Sequence, residues 1–209
     1  MGPGLIEKCG CLSMSSEAHR FRSTVTLQLP RWLTADARRW TFEPGEPASA
    51  MALAIELARQ NVEHQTGGPF GALVVSLASG EVVSAAVNCV EAQSCSCAHA
   101  EIMALSLAQQ RYAQWNLATT PHAPLTLVTS AEPCAMCLGA IPWSGVQHVI
   151  CGATKADVEA AGFDEGARSS LWVDELNERG IGVEVACLRA QAAQVLMAYA
   201  QSGQTIYNP

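Results

Sequence analysis

Two short stretches, His99-Ala100-Glu101 and Pro133-Cys134-Ala135-Met136-Cys137, each stand at the start of a predicted helix that follows a β-rich run or a loop. This placement limits the folds open to the chain. Where strands alternate with helices, helix starts that follow strand ends gather at one edge of the sheet. The two stretches are therefore expected to meet in space although they are far apart in sequence.

The rest of the pattern supports such a sheet. Ser49 to His64 reads as a helix with one broad apolar face made by Met51, Leu53, Ala54, Leu57, Ala58 and Val62. Gly71 to Leu77 and Val82 to Val87 are β-rich, and Ser79-Gly80 between them supplies a hairpin turn. A helix is expected from about Ala98 to Tyr112, a strand over Leu125 to Thr129, a short helix near Cys134 to Ile141 and a strand over Val146 to Cys151. A helical stretch from Arg168 to Arg179, a strand from Gly182 to Cys187 and a helix from Ala190 to Gln201 complete the series. Helical crossovers between the last three strands favour parallel pairing. The expectation is an α/β fold, a central five-stranded mixed sheet, antiparallel at the hairpin, with helices on both faces.

Residues 1–30 lack a sustained period, and Met14 could be an alternative start. Thr34 to Ala37, between Trp32 and Trp40, resembles a short helix. We divide the chain into an N-terminal extension, 1–45, and one domain, 46–209. Hydrophobic residues make up 49% of the sequence, enough to fill a core and to argue against wholesale disorder. A net charge of -7 without a basic run argues against a nucleic-acid polymer as substrate. Nine cysteines, an odd number mostly in apolar or helical context, fit reduced thiols in the cytoplasm better than a disulfide framework. Neither a signal peptide nor a membrane-spanning run is expected.

Cys134 and Cys137 stand three apart, so a helix puts both on one face, where its positive end favours thiolates. With His99 they form a three-ligand set that leaves a tetrahedral position open, as in a catalytic zinc site. Glu101, two residues from His99, points away from it on a helix, which suits a carboxylate that moves protons without binding metal. Taken alone, Cys-x-x-Cys could be a structural zinc half-site, a redox pair or two buried thiols. A structural site would want a fourth ligand, for which Cys95 and Cys97 are candidates that lack the spacing. A redox pair leaves His99 and Glu101 unexplained.

Together the motifs resemble the cytidine/deoxycytidylate deaminase superfamily, whose signature is His-x-Glu followed by Pro-Cys-x-x-Cys. Pro69-Phe70-Gly71-Ala72, Asn88, His99 to Glu101 and Glu132 to Ile141 occur in the family's order. Within it, Ala160-Ala161-Gly162-Phe163-Asp164-Glu165 looks like a stretch of bacterial guanine deaminases. The resemblance implies a three-layer cytidine-deaminase-like fold and zinc held by His99, Cys134 and Cys137. It implies Glu101 as proton shuttle, Asn88 and Glu165 at the substrate, and Glu165 also assisting proton transfer. Phe70 is expected to pack on the substrate ring, although core packing explains it equally. The implied reaction is hydrolysis of a free nucleobase, guanine to xanthine and ammonia, with aminotriazines as further candidates. A homodimer exchanging C-terminal segments is also implied, with Tyr207 as a lid closing in cis or in trans. The rival readings are a tRNA-specific adenosine deaminase and a non-catalytic zinc-binding structural subunit. Trp115 and Trp143 are expected in the core or at an interface.

Overall fold

A computed structural model of the chain describes residues 24–35 and 39–208. The start at Met14, the segment Met1 to Met14 and the Asp36-Ala37 half of the expected first helix lie outside the described residues. That helix, α1, covers Arg31–Thr34, earlier than expected, because Pro30 occupies its N-cap and fixes where it begins.

Helix α2 (Pro47–Glu63) begins two residues before the expected start, again at a proline. Its apolar face is buried through Met51, Leu53, Ala54, Leu57 and Ala58. The hairpin strands are β1 (Gly71–Ser76) and β2 (Glu81–Val87), paired antiparallel. After the short α3 (Val90–Gln93) come α4 (Ala100–Tyr112), β3 (Thr126–Ala131) and α5 (Ala135–Ser144). Then follow β4 (His148–Ala153), α6 (Lys155–Ala160), α7 (Trp172–Glu178), β5 (Gly182–Glu184) and α8 (Arg189–Gln201).

The sheet order is β2-β1-β3-β4-β5. Strands β3, β4 and β5 pair parallel, and β1 is antiparallel to both β2 and β3. This is the expected five-stranded mixed sheet. Helices cover both faces, so all six residues of β1 and of β3 are buried and neither strand shows a polar alternation. Helix α2 packs on β1 and β3 and against α8, while α4 packs on β1 and β2 and against α5. Gly71 stands where strand and helix approach closely: a Cβ there would lie 2.4 Å from the Ala54 carbonyl oxygen. Among the described residues no helix is long and apolar enough to cross a membrane.

Several boundaries differ from expectation for visible reasons. Strand β5 stops at Glu184 because Ala186 and Leu188 take positive φ and turn the chain away. Helix α7 starts at Trp172 rather than Arg168, whose side chain is committed elsewhere. Helix α6 was not expected, although Thr154 and Asp157 form a capping box at its start. Leu33, Trp40 and Phe42, from the expected extension, are buried in the core. Trp115 and Trp143 are 76% and 81% exposed, so neither belongs to the core.

Candidate active site

Both motifs sit at helix N-termini, on the edge of the sheet where β2 and β3 end. His99 is the N-cap of α4 and Cys134 the N-cap of α5, each with extended backbone. Their carbonyls accept the first helical bonds, from Met103 and Leu138 respectively. The β3 strand hands directly to Glu132-Pro133, and Pro133 ends the strand by removing its N–H. The cysteine that follows is thereby aimed at the imidazole.

The Nδ1 atom of His99 lies 3.5 Å from Cys134 Sγ and 3.6 Å from Cys137 Sγ. The three ligand atoms all fall within 4.8 Å of one another. A tetrahedral zinc with bonds of about 2.3 Å to sulfur and about 2.0–2.1 Å to nitrogen separates such ligands by about 3.6 Å. The donors fit one zinc ion, and among the described residues no other group of three does so. Cys95 and Cys97 lie 3.3 Å from each other and outside this group.

The electrostatics of these groups are mutually dependent. The Cys137 thiol, hydrogen-bonded to Cys134, holds the Cys134 thiol down at about 4 against the effect of burial. The same bond, together with burial, pushes Cys137 up, so the two sulfurs share a proton that a cation can displace. Burial opposes charging His99, but contact with Cys134 and the nearby Glu101 raise it overall. Glu101, only 7% exposed, is raised by burial first and then by Cys134. It is not one of the three clustered ligands.

These groups open into a cavity of about 310 Å³. His99, Glu101 and Cys134 line it, and so do Phe70, Asn88, Glu165 and Tyr207. Burial first, then the charges of Cys134 and Glu101, pushes Glu165 up to about 8. Its Oε2 atom is buried without a hydrogen-bond partner. Asn88 Oδ1 accepts from the Val90 N–H at 3.3 Å, and its side-chain amide donates to no described protein group. Phe70 meets Phe163 edge-on at 5.0 Å, and Phe163 stacks on Tyr199 at 5.7 Å. The tail runs past its own chain's cavity, with Asn208 donating to the Gly162 carbonyl at 2.8 Å and accepting from the Asp164 N–H at 2.9 Å.

Sequence reasoning missed two supporting groups. Asn61, buried on α2, donates to the carbonyls of Gly68 and Asn88 at 2.8 and 2.9 Å. It thereby fixes the loop beside Asn88, and a polar residue on the apolar face of α2 was the available signal. The second group is an ion pair between Glu132 and Arg168, 2.5 Å apart, with both side chains largely buried. Nothing in the spacing of those two residues announces it.

Residues 46–153 match the family model described as the cytidine and deoxycytidylate deaminase zinc-binding region. Guanine deaminase from Bacillus subtilis is 37% identical over 112 residues, 54% of this chain and 67% of that protein. A solved structure of guanine deaminase from Nitrosomonas europaea superposes with a TM-score of 0.80 at 40% identity, covering 87% of this chain and 99% of that one. A tRNA-specific adenosine deaminase from Streptococcus pyogenes is 31% identical over 136 residues, 65% of this chain and 79% of its own length.

Proposed function

The chain belongs to the cytidine and deoxycytidylate deaminase family, and on that premise we propose that it hydrolyses guanine to xanthine and ammonia. The observation that carries this reading is one cavity lined by the metal-binding His99 and Cys134, by Glu101, and by the partnerless carboxylate of Glu165. Guanine presents N–H donors at N1 and at its 2-amino group, and an ionised carboxylate is acceptor-only. Those donors would complete the hydrogen bonding of Glu165 Oε2 and favour its charged form. Asn88 has a free side-chain N–H for the opposite edge, and Phe70 and Tyr207 bound the ring's space. Similarity to two guanine deaminases, one across 87% of this chain and one across 54%, supports the same reading.

His99, Cys134 and Cys137 would hold zinc. The chemistry that zinc supplies when bound is Lewis acidity, sufficient to make water nucleophilic at neutral pH. Glu101 takes the proton from the attacking water and returns protons to the ring nitrogen and to the departing amine. Its burial matters here, because a raised carboxyl can hold as well as accept a proton. Glu165, at the N1–H edge, assists that transfer. Water adds at C2, the C–N bond breaks, and nitrogen leaves as ammonia.

Glu165→Gln is expected to lower kcat/KM for guanine about 10- to 100-fold, the value of a hydrogen bond to a charged group, with zinc content unchanged. Steady-state kinetics and metal analysis on the same preparation check this. The substrate itself is tested by ammonia release from guanine, guanosine, adenine, cytosine, an aminotriazine and tRNA. Guanine should be the best substrate, with an aminotriazine the next candidate because it presents a similar edge. Release from tRNA alone would replace the proposal with adenosine editing, against which the net charge of -7 argues. Release from none would leave a structural zinc subunit.

We read the protein as a cytoplasmic homodimer. Seven described cysteines are free thiols, which suits a reducing compartment. Helix α5 is apolar nearly all round, and Met136, Gly139 and Trp143 are exposed on its outer face. A second copy would cover that stripe. Trp143→Glu is expected to convert dimer to monomer in sedimentation with the fold retained. An exchange of C-terminal segments would set the Asn208–Gly162 bond between chains. Mixing a Glu101→Gln chain with a chain truncated before Tyr207 tests that exchange through recovered activity.

A further inference from the structure

At the cavity wall is a charged pair to which the deaminase reading gives no role: Glu132 lines the cavity, and Arg168 pairs with it from outside the lining. Arg168 comes from the loop that follows Glu165, and its side chain is 5% exposed. Its Nη2 donates to Glu132 Oε2 at 2.5 Å and its Nη1 to the Pro133 carbonyl at 2.9 Å. The Trp172 ring covers the guanidinium at 5.0 Å, and the Lys155 N–H donates to the same Glu132 oxygen at 3.1 Å. Removing one partner of a buried ion pair leaves the other charge uncompensated, so the pair ties together the two segments that carry it.

We propose that Arg168 is a positioning residue that sets the metal ligand Cys134 in register with the carboxylate of Glu165. Pro133's carbonyl belongs to the peptide bond that leads into Cys134. Holding that oxygen fixes the direction in which Cys134 leaves β3, and hence where its sulfur meets His99. The same guanidinium is anchored three residues after Glu165. A second tie joins the segments nearby, where the Ala135 N–H donates to the Glu165 carbonyl at 3.0 Å. One planar fork thus spans the strand end that carries a metal ligand and the loop that carries the substrate-facing acid. A lysine is a single point charge and cannot reproduce both directed bonds.

The inference rests on the roles proposed above for Cys134 and Glu165, and its test does not depend on turnover alone. The probe is cobalt(II), substituted into the full chain, whose visible absorption reports the geometry of its thiolate ligands. Arg168→Met is expected to shift that absorption and to lower kcat per bound metal about 10- to 100-fold, as loss of a residue supporting a metal ligand does. Arg168→Lys should restore part of each. In the double variant Glu132→Gln/Arg168→Met no buried charge is left unpaired, so thermal stability should recover while the cobalt spectrum stays shifted. A purely structural role predicts the reverse: stability lost, with wild-type spectrum and wild-type kcat per bound metal in whatever remains folded. That result in Arg168→Met overturns the proposal. Should Arg168→Met fail to fold, a wild-type cobalt spectrum in Arg168→Lys overturns it equally. A wild-type protein inactive on guanine would refute the guanine reading and leave the spectral test in force.

Discussion

Glu101→Gln is expected to lower turnover of guanine about 10²- to 10⁴-fold while the protein keeps its fold and its zinc. Glutamine has the size and shape of glutamate, and Glu101 lies in the first turn of α4 outside the three clustered ligands. The substitution therefore disturbs neither the metal donors nor the packing of α4 on β1 and β2. What it removes is a group that can take up and release a proton inside a buried site. A glutamine amide does neither at any pH where the protein is folded. Two measurements on one sample decide the matter: ammonia release under saturating guanine, and zinc per chain. Near-normal kcat with full zinc would take Glu101 out of the reaction.

Cys137→Ser should have an effect as large by a different route. Cys137 is fully buried beneath the cavity, 3.6 Å from His99 Nδ1. A serine hydroxyl does not ionise there, and a ligand must be deprotonated to bind metal well. The variant should lose stoichiometric zinc, fall to background activity and melt at a lower temperature, because metal bound only by the folded state stabilises it. Added zinc should restore little, since the missing thiolate cannot be supplied from outside. Chelation of the wild-type protein should also abolish activity, but zinc should restore it. The contrast between recoverable and unrecoverable loss separates a ligand from a bystander. Full activity in Cys137→Ser would contradict the site.

The fold was legible because its signals are local. An apolar face on α2, a turn at Ser79-Gly80 and helices between the last three strands are each read within a few residues, and together they force a mixed sheet. The metal cluster was legible for a related reason. Cys134 and Cys137 share a helix turn, and His99 and Cys134 both stand at helix starts on one sheet edge. The groups that hold the cluster in place were not legible. Arg168 and Glu132 stand 36 residues apart with β4 and α6 between them, and no periodicity encodes that encounter. In isolation Arg168 reads as the first residue of a helix, because a loop residue with a committed side chain looks like any helix former. Asn61 is the intermediate case, a polar residue on a buried helical face whose two backbone partners lie 7 and 27 residues away. Resemblance to a family supplied Glu165 and Asn88, which no spacing argument reaches.

The central claim is that one imidazole nitrogen and two thiolate sulfurs surround a single zinc with room for one more light atom. X-ray absorption at the zinc edge, on purified protein with its metal counted, tests it most directly. The account predicts one zinc per chain, two sulfurs at about 2.3 Å and nitrogen or oxygen neighbours at about 2.0–2.1 Å. A shell of four sulfurs would mean that Cys95 and Cys97 had joined a closed structural site. Such a shell, or protein free of transition metal, would contradict the account.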